Sequence, residues 1–237
     1  NMRLSNNSVW PIPIMLDVSN TFIENNKITI NDEIALRDHE GFLLAIMKIT
    51  DIWTIDKQQE SNLIYGTDNI EHPGVKYLME HIKDIYITGT LTQINIPKHY
   101  DFNSLRLTPN DVRLKFKNFN WNNIIAFQTR NPMHKAHYEL TKYALNKTEK
   151  DDAKLFLNPV VGETQSVDID YHTRVKVYKN VVKKYKEGTV LLGLLPLAMR
   201  MAGPREACLH ALIRKNYGCS HFVVGRDHAG PSFNKKD

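Results

Sequence analysis

Two hydrophobic rhythms divide this chain. From Leu16 to Asn95 short apolar runs alternate with polar turns, as in ITINDEIALRD, FLLAIMKITDIWTI and IYITGTLTQINI. Alternating positions such as Ile28, Ile30 and Ile34, and the abundance of threonine and isoleucine, predict strands. The first half is therefore expected to be a β-rich barrel or sandwich with one helical interruption near Val75 to His81. Pro97 to Lys117 reads as a polar connection. The boundary is placed near Pro109, separating a β-rich domain at 1–108 from a second domain at 109–237.

The second half alternates strand with helix. Strands are predicted at Ile124–Phe127, Lys154–Leu157, Thr189–Leu194 and His221–Val224, and helices at His134–Leu145, Ile169–Tyr185 and Pro204–Tyr217. This βαβαβαβ order implies a parallel sheet with right-handed crossovers, an α/β fold. On the first helix Ala136, Leu140, Tyr143 and Ala144 form the expected apolar face. On the second, Val175, Tyr178, Val181, Val182 and Tyr185 form a buried stripe opposite Lys176, Lys179, Lys183 and Lys186, a solvated row.

Polar, glycine-rich or charged segments follow each predicted strand: Gln128–Asn131, Pro159–Gly162, Met199–Arg205 and Gly225–Gly230. Ligands of open parallel sheets bind at that edge. The four loops offer Arg130, Arg200, Arg205 and Arg226 with His134, His137 and His228, a cationic set that would repel itself unless a polyanion occupied it. FQTRNPMHKAH, Phe127 to His137, is the richest of these stretches. Pro132 turns strand into helix, and His134 and His137 share the first helical turn, beside open backbone amides and the positive end of the dipole. Phosphate is well received there.

A histidine pair at that spacing also suits zinc, but no nearby cysteine, third histidine or HExxH glutamate completes a cage, so no metal site is expected. Arg200 and Arg205 divide between site and structure, because GPRE also reads as a helix start. His172, His210 and His221 read as packing or surface residues. Cys208 and Cys219 read as reduced packing residues, too few for a disulfide framework.

FQTRNPMHKAHYEL resembles the signature of the ATP-sulfurylase family. RLTPNDVR at Arg106, MRMAGPREACLHALIRKNYG at Met199, HFVVGRDHAGP at His221 and MRLSNNSVWPIPIMLDV at Met2 resemble further family segments. The resemblance implies a PUA-like β-rich domain before a Rossmann-like nucleotidyltransferase domain that joins sulfate to the α-phosphate of ATP. It implies sulfate binding by Gln128, Arg130 and the backbone of Ala229. ATP would contact Gln128, Thr129, Arg130 and Asn131, together with Gly225, Arg226, Asp227 and His228. Thr129, Arg130 and Asn131 map onto the catalytic trio, and His134 and His137 onto groups that stabilise departing pyrophosphate. Magnesium would enter as MgATP. Family members commonly assemble, which implies a homo-oligomer. Relative to the family the chain lacks an amino-terminal segment and everything after GRDHAGP, so a piece of a longer protein is expected.

Net charge of +5 and a pI of about 9.0 suit nucleic acid or small anions equally. Two alternatives are carried: another HxxH nucleotidyltransferase with a different acceptor, and a non-catalytic RNA-binding protein. Aromatic residues cluster on no single predicted strand, as base stacking requires, so no nucleic-acid partner is expected. The longest apolar stretch, Val190 to Met199, is too short for a membrane span, and the amino terminus lacks signal-peptide features. The expected location is cytoplasmic, or inside an organelle.

Overall fold

Period-two alternation along FLLAIMKITDIWT buries Ala45, Met47 and Ile49 while the intervening positions face outward. The computed structural model describes residues 2–148 and 152–231, and in it this run is strand β3 (Leu43–Thr54). It lies in an antiparallel sheet with β1 (Leu16–Val18), β2 (Glu33–Arg37) and β4 (Ile85–Thr92), in the order β1-β4-β3-β2. Ile28, Met47, Ile49, Ile85 and Ile87 form its core. The expected single helical interruption becomes three helices: α1 (Asn20–Asn26), α2 (Lys57–Tyr65) and α3 (Pro73–Glu80). Their starts are fixed by Ser19, Asp56 and His72, whose side chains accept first-turn amides, a signal that apolar periodicity does not carry. Ile28 and Ile30 precede β2 rather than lying in it, and Ile30 is 53% exposed.

The chain divides into compact units, Asn1–Tyr100 and Asp101–Gly230. The division falls earlier than the expected boundary near Pro109, because Leu105 and Leu107 pack into the second unit's core. The supposed polar connection contains a helix, α4 (Pro109–Asn118). Thr108 Oγ1 accepts from Asp111 N at 3.2 Å, and Asp111 Oδ2 accepts from Thr108 N at 2.9 Å, a reciprocal capping box. Val112 and Phe116 anchor this helix beside Trp121, Phe156 and Tyr217.

Four parallel strands form the second sheet: β5 (Ile124–Phe127), β6 (Lys154–Leu157), β7 (Val190–Leu192) and β8 (His221–Phe222), in the order β7-β6-β5-β8. All four residues of β5 are buried, the mark of a parallel strand covered on both faces. The helices between the strands are α5 (Lys135–Lys147), α6 (Tyr171–Val182) and α7 (Pro204–Asn216). Val175 and Tyr178 are the centre of the buried stripe on α6. The face expected for α5 is wrong: Leu140 and Tyr143 are exposed, and Tyr138, Thr141 and Leu145 turn inward. Thr141 Oγ1 bonds Tyr138 O at 2.7 Å and the Tyr185 hydroxyl at 2.6 Å, so a polar residue holds the position a pattern reading gives to leucine. Cys208 is exposed and is not a packing residue, whereas Cys219 lies against the core. Among the described residues no helix is long and apolar enough to cross a membrane.

Candidate active site

β5 delivers its last residue, Phe127, to a loop whose every turn is tied down. Gln128 is buried, with Nε2 3.9 Å from the sulfur of Met199. Thr129 Oγ1 accepts from Asn131 N at 2.9 Å and closes a tight turn around Arg130. The Arg130 guanidinium lies with Nε 3.3 Å from Asp168 Oδ1, while Nη1 donates to Gly230 O at 3.1 Å and approaches the Met201 sulfur at 3.0 Å. From α6, Arg174 donates to Arg130 O at 2.7 Å and the Tyr178 hydroxyl to Asn131 O at 3.2 Å. Burial pushes the Arg174 guanidinium down and the Tyr178 phenol up, so the first remains a cationic donor and the second stays neutral.

The loop ends at His134, whose backbone caps α5 without a side-chain bond. The first-turn amides are left without a side-chain acceptor, as anion binding at a helix start requires. The rings of His134 and His137 lie close but tilted, centroids 3.9 Å apart and planes at 31°, and Phe127 backs His137 at 5.7 Å. Burial, and secondarily His134, lowers the pKa of His137. His137 Nδ1 is buried and has no hydrogen-bond partner.

The loops after β6 and β7 are laced together. Leu195 N donates to Pro159 O at 2.9 Å, Val161 N to Leu195 O at 2.8 Å, and Met199 N to Glu163 O at 2.8 Å. Gly162 is required there, since a Cβ would stand 2.3 Å from Leu197 O. Arg200 and Ala202 donate their amides to the buried carboxylate of Glu206, each at 3.0 Å. Glu206 is thus a structural clamp rather than a surface charge at a helix start. Gly203 N donates to Ala229 O at 3.1 Å, joining this loop to the one after β8.

Gln128, Arg130, Ala229 and His228 therefore stand in one bonded assembly with the Met199–Gly203 loop. Thr129, Asn131, His134 and His137 adjoin it along the chain. Gly225, Arg226 and Asp227 sit in the same loop as His228 but are exposed, and the Arg226 side chain is 95% exposed. The expected self-repelling cation cluster is a misreading. Arg130 is paired with Asp168, and burial, followed by His210 and Arg214, pushes His228 down to about 4. His137 is shifted the same way. His210, read as packing or surface, is wholly buried and also polar-bonded, its Nδ1 2.9 Å from His228 Nε2.

Asp168, Arg174, Glu206 and Arg214 were not singled out by pattern, and Tyr178 and His210 were read without a role at the site. Arg214 is fully buried, donates to Asn158 O at 3.0 Å, and lies over the Phe222 ring at 5.5 Å. Only the i, i+4 spacing of Glu206, His210 and Arg214 on one helix face hinted at a shared role. Among the described residues no group of three His, Cys, Asp or Glu side chains is placed to hold a metal.

The ATP-sulfurylase family model matches residues 103–233, and a PUA-like domain model matches residues 1–96. Sulfate adenylyltransferase of Eremothecium gossypii is 50% identical over 236 residues, covering 100% of this chain and 46% of that protein. The enzyme of the same name from Saccharomyces cerevisiae is 47% identical over 234 residues, covering 99% of this chain and 45% of its own length. A solved structure described as a hexameric APS kinase from Thiobacillus denitrificans superposes with a TM-score of 0.74 at 29% identity, over 95% of this chain and 40% of that one. The chain spans about half the length of the curated relatives it matches. The first match takes in the whole parallel sheet and every loop around Arg130, and on that ground the chain belongs to the ATP-sulfurylase family.

Proposed function

We propose that this chain carries the reacting centre of a sulfate adenylyltransferase, which makes adenosine 5'-phosphosulfate and pyrophosphate from ATP and sulfate. The observation that carries it is the start of α5, which no side chain caps, where two closely spaced imidazoles adjoin a loop organised around Arg130.

A sulfate oxygen attacks the α-phosphorus, the bond from phosphorus to the bridging oxygen breaks, and pyrophosphate leaves with its electron pair. Both reactants are anions, so alignment and charge neutralisation are the enzyme's main tasks. Gln128, Arg130 and the Ala229 amide hold sulfate. Thr129, Arg130 and Asn131 brace the α-phosphate, and Gly225 to His228 hold the nucleotide. His137 is neutral at pH 7 by its lowered pKa, so it acts as a hydrogen-bond donor to the bridging oxygen rather than as a fixed cation. His134 and the first-turn amides meet the leaving group beside it. Magnesium would come with ATP as part of the substrate and would supply further charge neutralisation at the phosphates, with no residue of this chain assigned to hold it. A cytoplasmic or organellar location and assembly as a homo-oligomer fit this reading, the second supported by the solved neighbour described as hexameric.

The deciding measurement is exchange of labelled pyrophosphate into ATP by this chain with magnesium, with and without sulfate. Exchange that requires sulfate is expected; exchange without it points to another acceptor, and none at all, with ATP still bound in calorimetry, points to a site completed by further chain. In an active sample, His137→Ala should lower turnover about a hundredfold while changing ATP affinity little. Near-normal turnover would remove the residue from the reaction. Arg130→Lys should raise the sulfate KM sharply, because one point charge replaces a planar fork that also holds Asp168 and Gly230.

A further inference from the structure

Two buried titratable side chains lie one turn apart on α7, and the reaction above uses neither. Glu206 is 1% exposed and His210 0%. Burial alone would raise the Glu206 carboxyl, but the His210 ring and the amides of Arg200 and Ala202 outweigh it and hold the group ionised. His210 Nε2 stands 3.3 Å from Glu206 Oε1, an electrostatic contact that is not aligned as a hydrogen bond. A nitrogen lone pair facing a buried carboxylate oxygen would be repelled, so Nε2 carries the proton. Neutral His210 then has only a lone pair at Nδ1. That lone pair faces His228 Nε2 at 2.9 Å, so His228 must donate from Nε2. By the same exclusion Nδ1 of His228 is an unprotonated acceptor, and among the described residues it has no partner.

We propose that Glu206 and His210 are positioning residues that fix the tautomer of His228, so that this ring meets the nucleotide through Nδ1 as a hydrogen-bond acceptor. An acceptor repels phosphate oxygens. It suits a hydroxyl or amino donor, so His228 belongs to the nucleoside end of ATP and not to its phosphates. The identity of the ligand rests on the sulfate adenylyltransferase reading; the tautomer does not. The charged groups acting on His228 are His210, Arg214 and Glu206 from α7 and Arg130 from the loop after β5, with the Phe222 ring at 5.4 Å. Burial, then His210, Arg214 and Arg130, favour the neutral ring near pH 7 against the opposing pull of Glu206.

The test begins with the unaltered chain. Two-bond proton–nitrogen spectra of histidine-labelled protein at pH 7 should show His210 and His228 both protonated at Nε2 and bare at Nδ1. A proton on Nδ1 of His228 overturns the proposal, whatever ATP does. In His210→Phe the His228 ring loses its acceptor and should show mixed tautomers; an unchanged spectrum in the folded variant also overturns it. Calorimetry should then find ATP affinity reduced roughly three- to tenfold, the loss of one hydrogen bond, with inorganic tripolyphosphate binding unaltered. His210→Gln, whose amide accepts from His228 and donates to Glu206, should restore ATP affinity. Equal losses for both ligands overturn the acceptor role. Expected tautomers in a chain that binds no ATP would leave the relay standing and sink the nucleotide reading.

Discussion

At the residue scale the site is a set of histidines held neutral by burial, and this makes a pH prediction. His137, His210 and His228 are all lowered from 6.5, with His228 at about 4. A base whose folded value is depressed contributes stability that is full above the unfolded value and is lost as pH falls through the folded one. Chemical denaturation should therefore show stability declining between pH 6.5 and about 4, before most carboxylates are protonated. His228→Gln should flatten that decline, and an unchanged slope would show the ring to be solvated. The strand-to-helix turn within FQTRNPMHKAH was legible in the sequence, because Pro132 follows an apolar run and precedes a helix. Arg174, Arg214 and His210 were not, since a charged side chain in a helix looks alike whether it faces water or a carbonyl deep in the core. Burial is decided by neighbours that lie far along the chain, as when Arg214 meets Asn158.

At the scale of elements, β5 and β6 were legible to the residue and β7 and β8 were expected two to three residues too long, because an uninterrupted apolar run such as IIAF has few other uses in a short segment. What failed was the helix signal where capping rather than periodicity carried it. The Thr108–Asp111 box that starts α4 lay within a stretch read as connection, although threonine, proline and aspartate at that spacing are a recognised start. Thr108→Ala should cost about 1 kcal/mol in denaturant unfolding; a loss within error would mean the packing of Val112 and Phe116 alone sets the helix. The loop after β6 makes a sharper demand. In Gly162→Ala the new methyl meets backbone at Leu197, which cannot rotate away, so the Pro159–Gly162 loop must shift. Weaker ATP binding with an intact far-ultraviolet spectrum is the expected result, and full binding would show that the loop does not set the site.

At the scale of the whole molecule, the change of hydrophobic rhythm correctly announced two units but misjudged where one gives way to the other. Pattern reading assigns residues by their own polarity, whereas Leu105 and Leu107 belong to the second unit through what they pack against. Residues 93–100 are exposed throughout and lie outside any helix or strand, with Tyr100 at 85% exposure. Limited proteolysis should cut there first, leaving fragments that retain their own secondary structure; a first cut elsewhere would contradict the division.

The parallel pairing of β5 with β8 also sets an order of events during synthesis. Ile124 N donates to Ser220 Oγ, a partner 96 residues further along. While those residues are still being made, the IIAF strand has one flank covered by β6 and the other bare. An apolar strand with an open flank is what sticks to another copy of itself. A ribosome at work on this chain thus holds an open-flanked sheet until β8 emerges, and that interval is when a chaperone would matter most.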